Sequence, residues 1–315
     1  MPAIIATAPG KAILFGEHAV VYKRPAIAVP VTKVRSKAII VANPIGGKNK
    51  VTIEAPDINL FSTLEELDLN HPIAVAIHLM MKKLNISELP AFSLRVTSTI
   101  PIASGLGSSA STAIVIIRAL NDFIGGNLSN KEINQLAFEV EIIHHGTPSG
   151  IDNSVITSSQ PVFFITGKRI QRLKVGVPLR FIIGNTGIKS LTSDIVAEVK
   201  KEWQINPQAY EVIFNRIRQI TLEAKKIIAK GDKKELGQLM NKNHEALQDL
   251  NVSCKELDIL VNAAKQAGAL GAKLCGAGRG GNMISLIENN TAPIVEKALM
   301  DAGAISIITT LVKRI

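Results

Sequence analysis

The sequence predicts an α+β fold of two domains, and three observations predict it. The chain has 315 residues, enough for two domains at roughly 100–200 residues each. Hydrophobic residues make up 46% and charged residues 20%, the balance of a packed globular protein. Strand-like and helix-like runs alternate along it. From Leu179 onward their order, stripped of helical insertions, is β-α-β-β-α-β, the ferredoxin-like split pattern. The texture changes near Gly176-Val177, so the expected domains are 1–176, a mixed α/β domain, and 177–315, ferredoxin-like with inserted helices.

The elements follow in order. Ala3–Ala8 and Ala26–Val31 are short, β-compatible runs. Lys37–Ala42 and Lys50–Glu54 read as a hairpin around the turn residues Asn43-Pro44 and Gly46-Gly47. Pro72–Leu84 has apolar residues at Ile73, Ile77, Met80, Met81 and Leu84, a helical period. Phe92–Ser98 alternates as a half-buried strand does. A glycine-rich turn leads into an apolar helix from about Ser109 to Phe123. The next helix starts at Ser129, which forms a capping box with Glu132; Ile133, Leu136, Ala137 and Val140 make its buried stripe. That helix runs into His144-His145-Gly146, and Pro161–Thr166 reads as a strand. Then come a strand at Leu179–Asn185, charged helices from Ser193 to Leu250, and a helix at Cys254–Ala267. The strand Ala272–Cys275, a glycine-rich turn, the strand Asn282–Ile287, the helix Pro293–Asp301 and the strand Ile305–Val312 complete the chain.

The formal charge of +10 attracts anions in general. Its lysine clusters are short, such as Lys200-Lys201 and Lys233-Lys234, and aromatics are only 4%, so stacking platforms for nucleic acid are not expected. No stretch of about 18 apolar residues predicts a membrane span. The start of the chain lacks the basic-then-apolar pattern of a signal peptide. Cys254 and Cys275 form neither a disulfide framework nor a metal-ligand spacing. A cytoplasmic protein is the expectation.

Chemistry concentrates in segments rich in glycine and small polar residues. In Pro101–Thr112, PIASGLGSSAST, the glycines let backbone approach an anion, and the turn opens a helix whose first N–H groups favour phosphate. No lysine follows Gly107, which excludes a Walker A loop. Gly105, Gly107 and Ala110 match a dinucleotide fingerprint formally, but the helix capped at Ser129 occupies the stretch where that fold needs a strand and an acidic residue. Glu141, beside the apolar stripe of its helix, fits a Mg²⁺ ligand and equally a helix-edge glutamate paired with a base. Asp152 follows a Pro-Ser-Gly turn and could deprotonate a substrate hydroxyl, or be an ordinary turn aspartate. Lys11 could neutralise phosphate or sit on the surface, and His18 could meet a polar substrate. His144-His145 lacks zinc spacing. The glycines of Gly276–Gly281 suit a hairpin turn or a second backbone wall against phosphate.

APGKAILFGEHAVVY, PIASGLGSSAST, HHGTPSGIDN and KLCGAGRGGN stand here in the order seen in the GHMP kinases, and the chain resembles that family from Ala8 to its final strand. FGEHAVVY and HHGTPSGIDN resemble the members acting on mevalonate more closely than the sugar kinases. The resemblance implies ATP-dependent phosphorylation of the primary hydroxyl of mevalonate, with ATP and Mg²⁺ as cofactors. It implies a site in a cleft between the domains and a left-handed β-α-β unit in the first, against the usual crossover rule. By position, Ser109 and Glu141 resemble the Mg²⁺ ligands, Asp152 the catalytic aspartate and Lys11 the lysine beside it. Pro101, Ser104, Gly105, Leu106, Gly107, Ser108, Ser109 and Ala110 resemble the triphosphate loop. Glu17, His18, Thr192 and Gly278 fall where the family meets substrate. Related sequences often read GAGGGG where this one has Arg279, a cation that could bind carboxylate or phosphate or point to solvent. Phosphomevalonate is therefore the alternative substrate. A non-catalytic anion- or RNA-binding protein is disfavoured by the intact Lys11, Ser109, Glu141 and Asp152. A small molecule is the expected partner, with neither nucleic acid nor membrane, and a homodimer is left open.

Overall fold

The computed structural model describes residues 3–101, 104–145 and 148–313. Ile102-Ala103 and Gly146-Thr147, parts of two sequence motifs, lie outside the described residues, as do the side chains of His144 and His145. Contacts divide the chain into two compact units. The first is Met1–Gly10, Val34–Pro101 and Gly107–Ser159; the second is Lys11–Lys33, Ile102–Leu106 and Gln160–Ile315. This differs from a single cut at Gly176-Val177. The reason is that two strands, β1 (Ile4–Phe15) and β2 (Ala26–Ala42), are long enough to serve both units. The Ala26–Val31 and Lys37–Ala42 runs thus belong to one strand.

In the first unit β3 (Val51–Ala55), β4 (Leu60–Thr63), helix α1 (Pro72–Leu84) and β5 (Phe92–Ser98) follow. Ser36–Ala42 of β2 pairs antiparallel with β5, while β3 lies parallel to β5 on its other side and β4 pairs with β3. The hairpin expected around Asn43–Gly47 therefore does not form, because β5 lies between its two strands. The connection satisfies its backbone against the segment preceding β5: Asn43 N donates to Ala91 O and Asn49 N to Leu89 O. Helix α2 (Ser108–Ile124) is apolar on nearly every side and buries Ala113 through Ile117, as a central helix must. Helix α3 (Asn130–His145) begins at the expected capping box. Ser129 N and Oγ both donate to Glu132 Oε2, and those bonds with Lys83 hold the Glu132 carboxyl down at about 2. Helix α4 (Ile151–Ser158) is a finding: Pro148 and Gly150 read as a turn, yet Gly150 is the residue before a short helix.

In the second unit Ala26–Ala28 of β2 pairs with β6 (Val162–Phe164), which pairs with the short β7 (Gln171–Arg172). Then come β8 (Leu179–Asn185), α5 (Thr192–Ile205), α6 (Pro207–Lys230), α7 (Lys233–Asp249), α8 (Lys255–Gln266), β9 (Gly271–Cys275), β10 (Asn282–Ile287), α9 (Ala292–Asp301) and β11 (Ser306–Val312). The last four strands form a sheet in the order β11-β8-β10-β9, every neighbour antiparallel. That is the order the split β-α-β-β-α-β pattern requires. Phe214, Ile217, Leu247, Leu257, Leu260, Leu274, Met283 and Leu299 form its core. Among the described residues, no helix is long and apolar enough to cross a membrane.

Candidate active site

The expected site residues fall into two sets, one in each unit. In the first unit α2 opens directly after the glycine loop. Gly107 takes φ +77° at its N-cap and has no side chain with which to cap. The N-cap residue thus offers the first-turn N–H groups no side-chain cap, which suits an anion. Within that first turn Ser109 Oγ donates to Glu141 Oε1 at 2.6 Å, joining α2 to α3. Glu141 is buried. A hydroxyl and a carboxylate, both oxygen donors, are therefore brought together at a phosphate-competent helix start. Ser108 and Ala110 flank Ser109 in the same turn, and Pro101 closes β5's approach to the loop.

Asp152 stands half-buried in the first turn of α4. Its neighbours hold it there. Asn153 Nδ2 donates to Asn134 Oδ1 at 2.8 Å and to Asn134 O at 3.1 Å, which pins α4 to α3. Ser154 Oγ bonds back to Gly150 O. Sequence reasoning missed Asn153 and Asn134. The only signal was a second polar residue directly after Asp152.

In the second unit β1 carries Lys11, buried, whose N–H donates to Leu106 O at 2.9 Å. Ser104 O accepts from Asn282 Nδ2 at 2.5 Å. The part of the glycine loop around Gly105 is thus gripped from both sides, by β1 and by the start of β10. His18 follows β1 in a turn with φ +58°, and its Nε2 lies 2.8 Å from Ala277 O. Among the described residues its Nδ1 is buried without a hydrogen-bond partner. Burial lowers the His18 pKa to about 4; the bond to Ala277 O works the other way, and the charge of Arg279 adds to the lowering. His18 is therefore neutral at pH 7, with Nε2–H as donor and Nδ1 as acceptor.

Glu17 is turned away from this surface. Its Oε1 accepts from Lys273 Nζ and its Oε2 from Asn243 Nδ2 at 3.3 Å, and it is 1% exposed. The loop Gly276–Gly281 packs tightly on the segment after α7. At Gly278, φ +89°, a Cβ would stand 1.9 Å from Val252 O, so only glycine fits. Arg279 N donates to Val252 O at 2.8 Å, its Nε to Asn251 O at 3.2 Å, and its guanidinium pairs with Glu198 of α5. The Arg279 charge is thus held by α5. Thr192 opens that helix and is exposed. Ahead of it, Gly281 N bonds to Ile188 O, and Thr186 N and Oγ1 both bond to Gly281 O.

Two family models match this chain: the GHMP kinases N terminal domain over residues 70–160 and the GHMP kinases C terminal over residues 224–304. Together they span more than half of it. The chain belongs to the GHMP kinases. Among its relatives, a mevalonate kinase of Pyrococcus furiosus is 36% identical, with 97% of this chain and 95% of the relative covered. The crystal structure of the Methanococcus jannaschii mevalonate kinase superposes with a TM-score of 0.86 at 30% identity, covering 100% of this chain and 99% of that one. The crystal structure of L. major mevalonate kinase in complex with R-mevalonate gives 0.85 at 28% identity, covering 100% of this chain and 96% of that one. A phosphomevalonate kinase of Streptococcus pneumoniae, at 18% identity and a TM-score of 0.83, shares the fold.

Proposed function

We propose that this kinase transfers the γ-phosphoryl group of ATP to the primary hydroxyl of mevalonate, giving 5-phosphomevalonate and ADP. The observation that carries the phosphotransfer is the Ser109–Glu141 pair, 2.6 Å apart, in the first turn of the helix that follows the glycine loop. The relatives named above, similar over nearly the whole chain, support mevalonate as substrate.

In this reading the backbone of Ser104–Ala110 supplies preorganised N–H donors to the phosphates. Asp152 accepts the hydroxyl proton as the substrate oxygen bonds to phosphorus and the bond from the γ-phosphorus to the leaving ADP oxygen breaks. Lys11 adds positive charge, His18 presents a neutral ring to the alcohol, and Thr192 and Gly278 line the substrate. Among the described residues, no cluster of three or more His, Cys, Asp or Glu could hold a metal alone. Mg²⁺ bound with a nucleotide needs no such cluster: one or two carboxylates and phosphate oxygens suffice. The hard oxygens of Ser109 and Glu141 fit that role, and a Mg²⁺ ion held there would neutralise phosphate charge. We place the reaction in the cytoplasm, and sedimentation would test the homodimer left open above.

A panel of mevalonate, phosphomevalonate, galactose and homoserine with ATP, read by coupled ADP release, tests the function. Turnover is expected with mevalonate and at least about 100-fold less with the others, as for a site matched to one alcohol. No ADP from mevalonate would refute it.

A further inference from the structure

Beneath His18 lies a buried ion pair that the reaction does not use directly. Lys273 on β9 is 0% exposed and Glu17 1%. Lys273 Nζ donates to Glu17 Oε1 and to Leu274 O at 2.6 Å, while Asn243 Nδ2 holds the other Glu17 oxygen at 3.3 Å. Burying two charges is costly, and apolar replacements of such pairs are often neutral or stabilising. Stability alone therefore does not account for this pair.

Its connectivity does. β9 runs from Lys273 into the loop whose Ala277 O lies 2.8 Å from His18 Nε2. Glu17 and His18 are adjacent. Lys273, Glu17, His18 and Ala277 thus form a closed circuit: one ion pair, one peptide bond, one hydrogen bond and the end of one strand. Cys275 ties the middle of that circuit to β1, its Sγ donating to Ile13 O at 3.3 Å. The circuit holds a turn that needs holding, because His18 sits at φ +58° and ψ −51°, a conformation a non-glycine residue keeps only when its surroundings enforce it.

We infer that Lys273 is a positioning residue for the phosphotransfer: acting through Glu17, it fixes the Gly16–His18 turn so that the His18 ring and the Ala277–Gly278 backbone present one rigid face to the alcohol. The inference rests on the function proposed above. Its test compares the wild-type protein with Lys273→Met and with the double variant Glu17→Gln/Lys273→Met. Melting temperature, kcat, KM for mevalonate and for ATP, and the His18 Nε2–H signal by NMR are read for each.

Lys273→Met strands a buried carboxylate, so its melting temperature falls. Its KM for mevalonate rises by about 10–100-fold, the usual cost of losing the partner that orients a site residue. Its KM for ATP stays within about twofold, because no phosphate-loop contact is touched. The double variant removes the stranded charge and recovers melting temperature, but keeps the raised mevalonate KM and loses the ordered His18 signal. A double variant with wild-type melting temperature, wild-type mevalonate KM and an unchanged His18 signal overturns the inference. Parallel rises of both KM values in Lys273→Met overturn it as well. If Lys273→Met does not fold, the double variant decides alone. If the wild type makes no ADP from mevalonate, the proposed function fails, and the His18 signal in the double variant still decides the positioning role.

Discussion

Lowering the pH from 7 to 5 protonates a histidine of ordinary pKa 6.5, but not His18 or His244, whose values stand at about 4. Burial is the larger cause for both. At His244 the nearby Asp258 carboxylate offsets part of it, and Lys273 adds to the lowering. Its Nδ1 also accepts from Leu274 N, which a protonated ring could not do. In the unfolded chain both rings titrate normally. Between pH 6.5 and 4 the unfolded state therefore binds more protons than the folded one. The stabilisation is fully present above pH 6.5, falls as the pH drops through this window, and levels off below 4. A separation of about 2.5 pKa units caps each contribution at about 3 kcal/mol, and at pH 5 each has already lost about 2 kcal/mol. The two rings together cost about 4 kcal/mol there, a large share of the stability of an ordinary domain. Glu132, near 2, does not titrate in the window. Trp203 is the only tryptophan and lies 5.1 Å from the Tyr22 ring in the same unit as both histidines, so its fluorescence reports that unit. Urea unfolding at pH 7.5 and pH 5 measures the loss, and NMR titration assigns it to each ring. A loss under about 1 kcal/mol, or a His18 midpoint above pH 6, would refute the reasoning.

The remaining predictions concern the site. Asp152→Asn keeps the polar shape but removes the proton acceptor; kcat should fall by about 10²–10⁴-fold with helix content unchanged, and a variant keeping half its turnover excludes Asp152 as base. Glu141→Gln preserves a bonding partner for Ser109 but loses the charge, so the Mg²⁺ concentration for half-maximal rate should rise by about 10–100-fold; an unaltered Mg²⁺ titration excludes the ligand role. Gly278→Ala places a Cβ 1.9 Å from Val252 O at φ +89°, so the loop must shift, at a cost of about 1–3 kcal/mol by thermal unfolding. Equal melting temperatures would show that the loop has room. Arg279→Gly gives up a part-exposed pair with Glu198 worth up to about 1 kcal/mol and relieves a left-handed arginine at φ +50° worth about the same. Stability should therefore change by less than about 1 kcal/mol and mevalonate KM by less than about threefold. A tenfold rise in KM would return the guanidinium to the substrate.

Local patterns were legible wherever local forces decide. Helix α1 and strands β5, β8 and β10 begin and end at the residues the sequence predicts, because their periodicity and their stops lie within the segment itself. The capping box at Ser129 is equally local. The long strands were not legible. The sequence reads β2 as two runs, Ala26–Val31 and Lys37–Ala42, and Pro30 falls between the part that pairs with β6 and the part that pairs with β5, so no described bond of either ladder needs its missing N–H. The hairpin error has the same origin. Turn residues at Asn43–Gly47 are real, yet which strand lies beside β2 is settled by β5, far along the chain.

The site divides along the same line. Ser109 and Glu141 could be named from motif words, but the partner of Glu17 could not, since Lys273 is 256 residues away. The available signal was a lone lysine in the otherwise apolar run GAKLC, a pattern that usually marks an exposed strand edge. Helices α7 and α8 cover β9 and turn that lysine into a buried anchor. Arg279 is the converse case. In the sequence it is an added cation beside a glycine loop, and an added cation would favour a substrate that already carries phosphate. In the fold Glu198, on a helix 81 residues earlier, pairs with that guanidinium, and Asn251 O fixes its direction. A count of loop charges therefore has to include the partner Glu198 before it bears on mevalonate against phosphomevalonate. In the proposed reading the discrimination comes from groups whose orientation is fixed but whose bonding capacity is not exhausted, and the Nδ1 of His18, unpartnered among the described residues, is one of these.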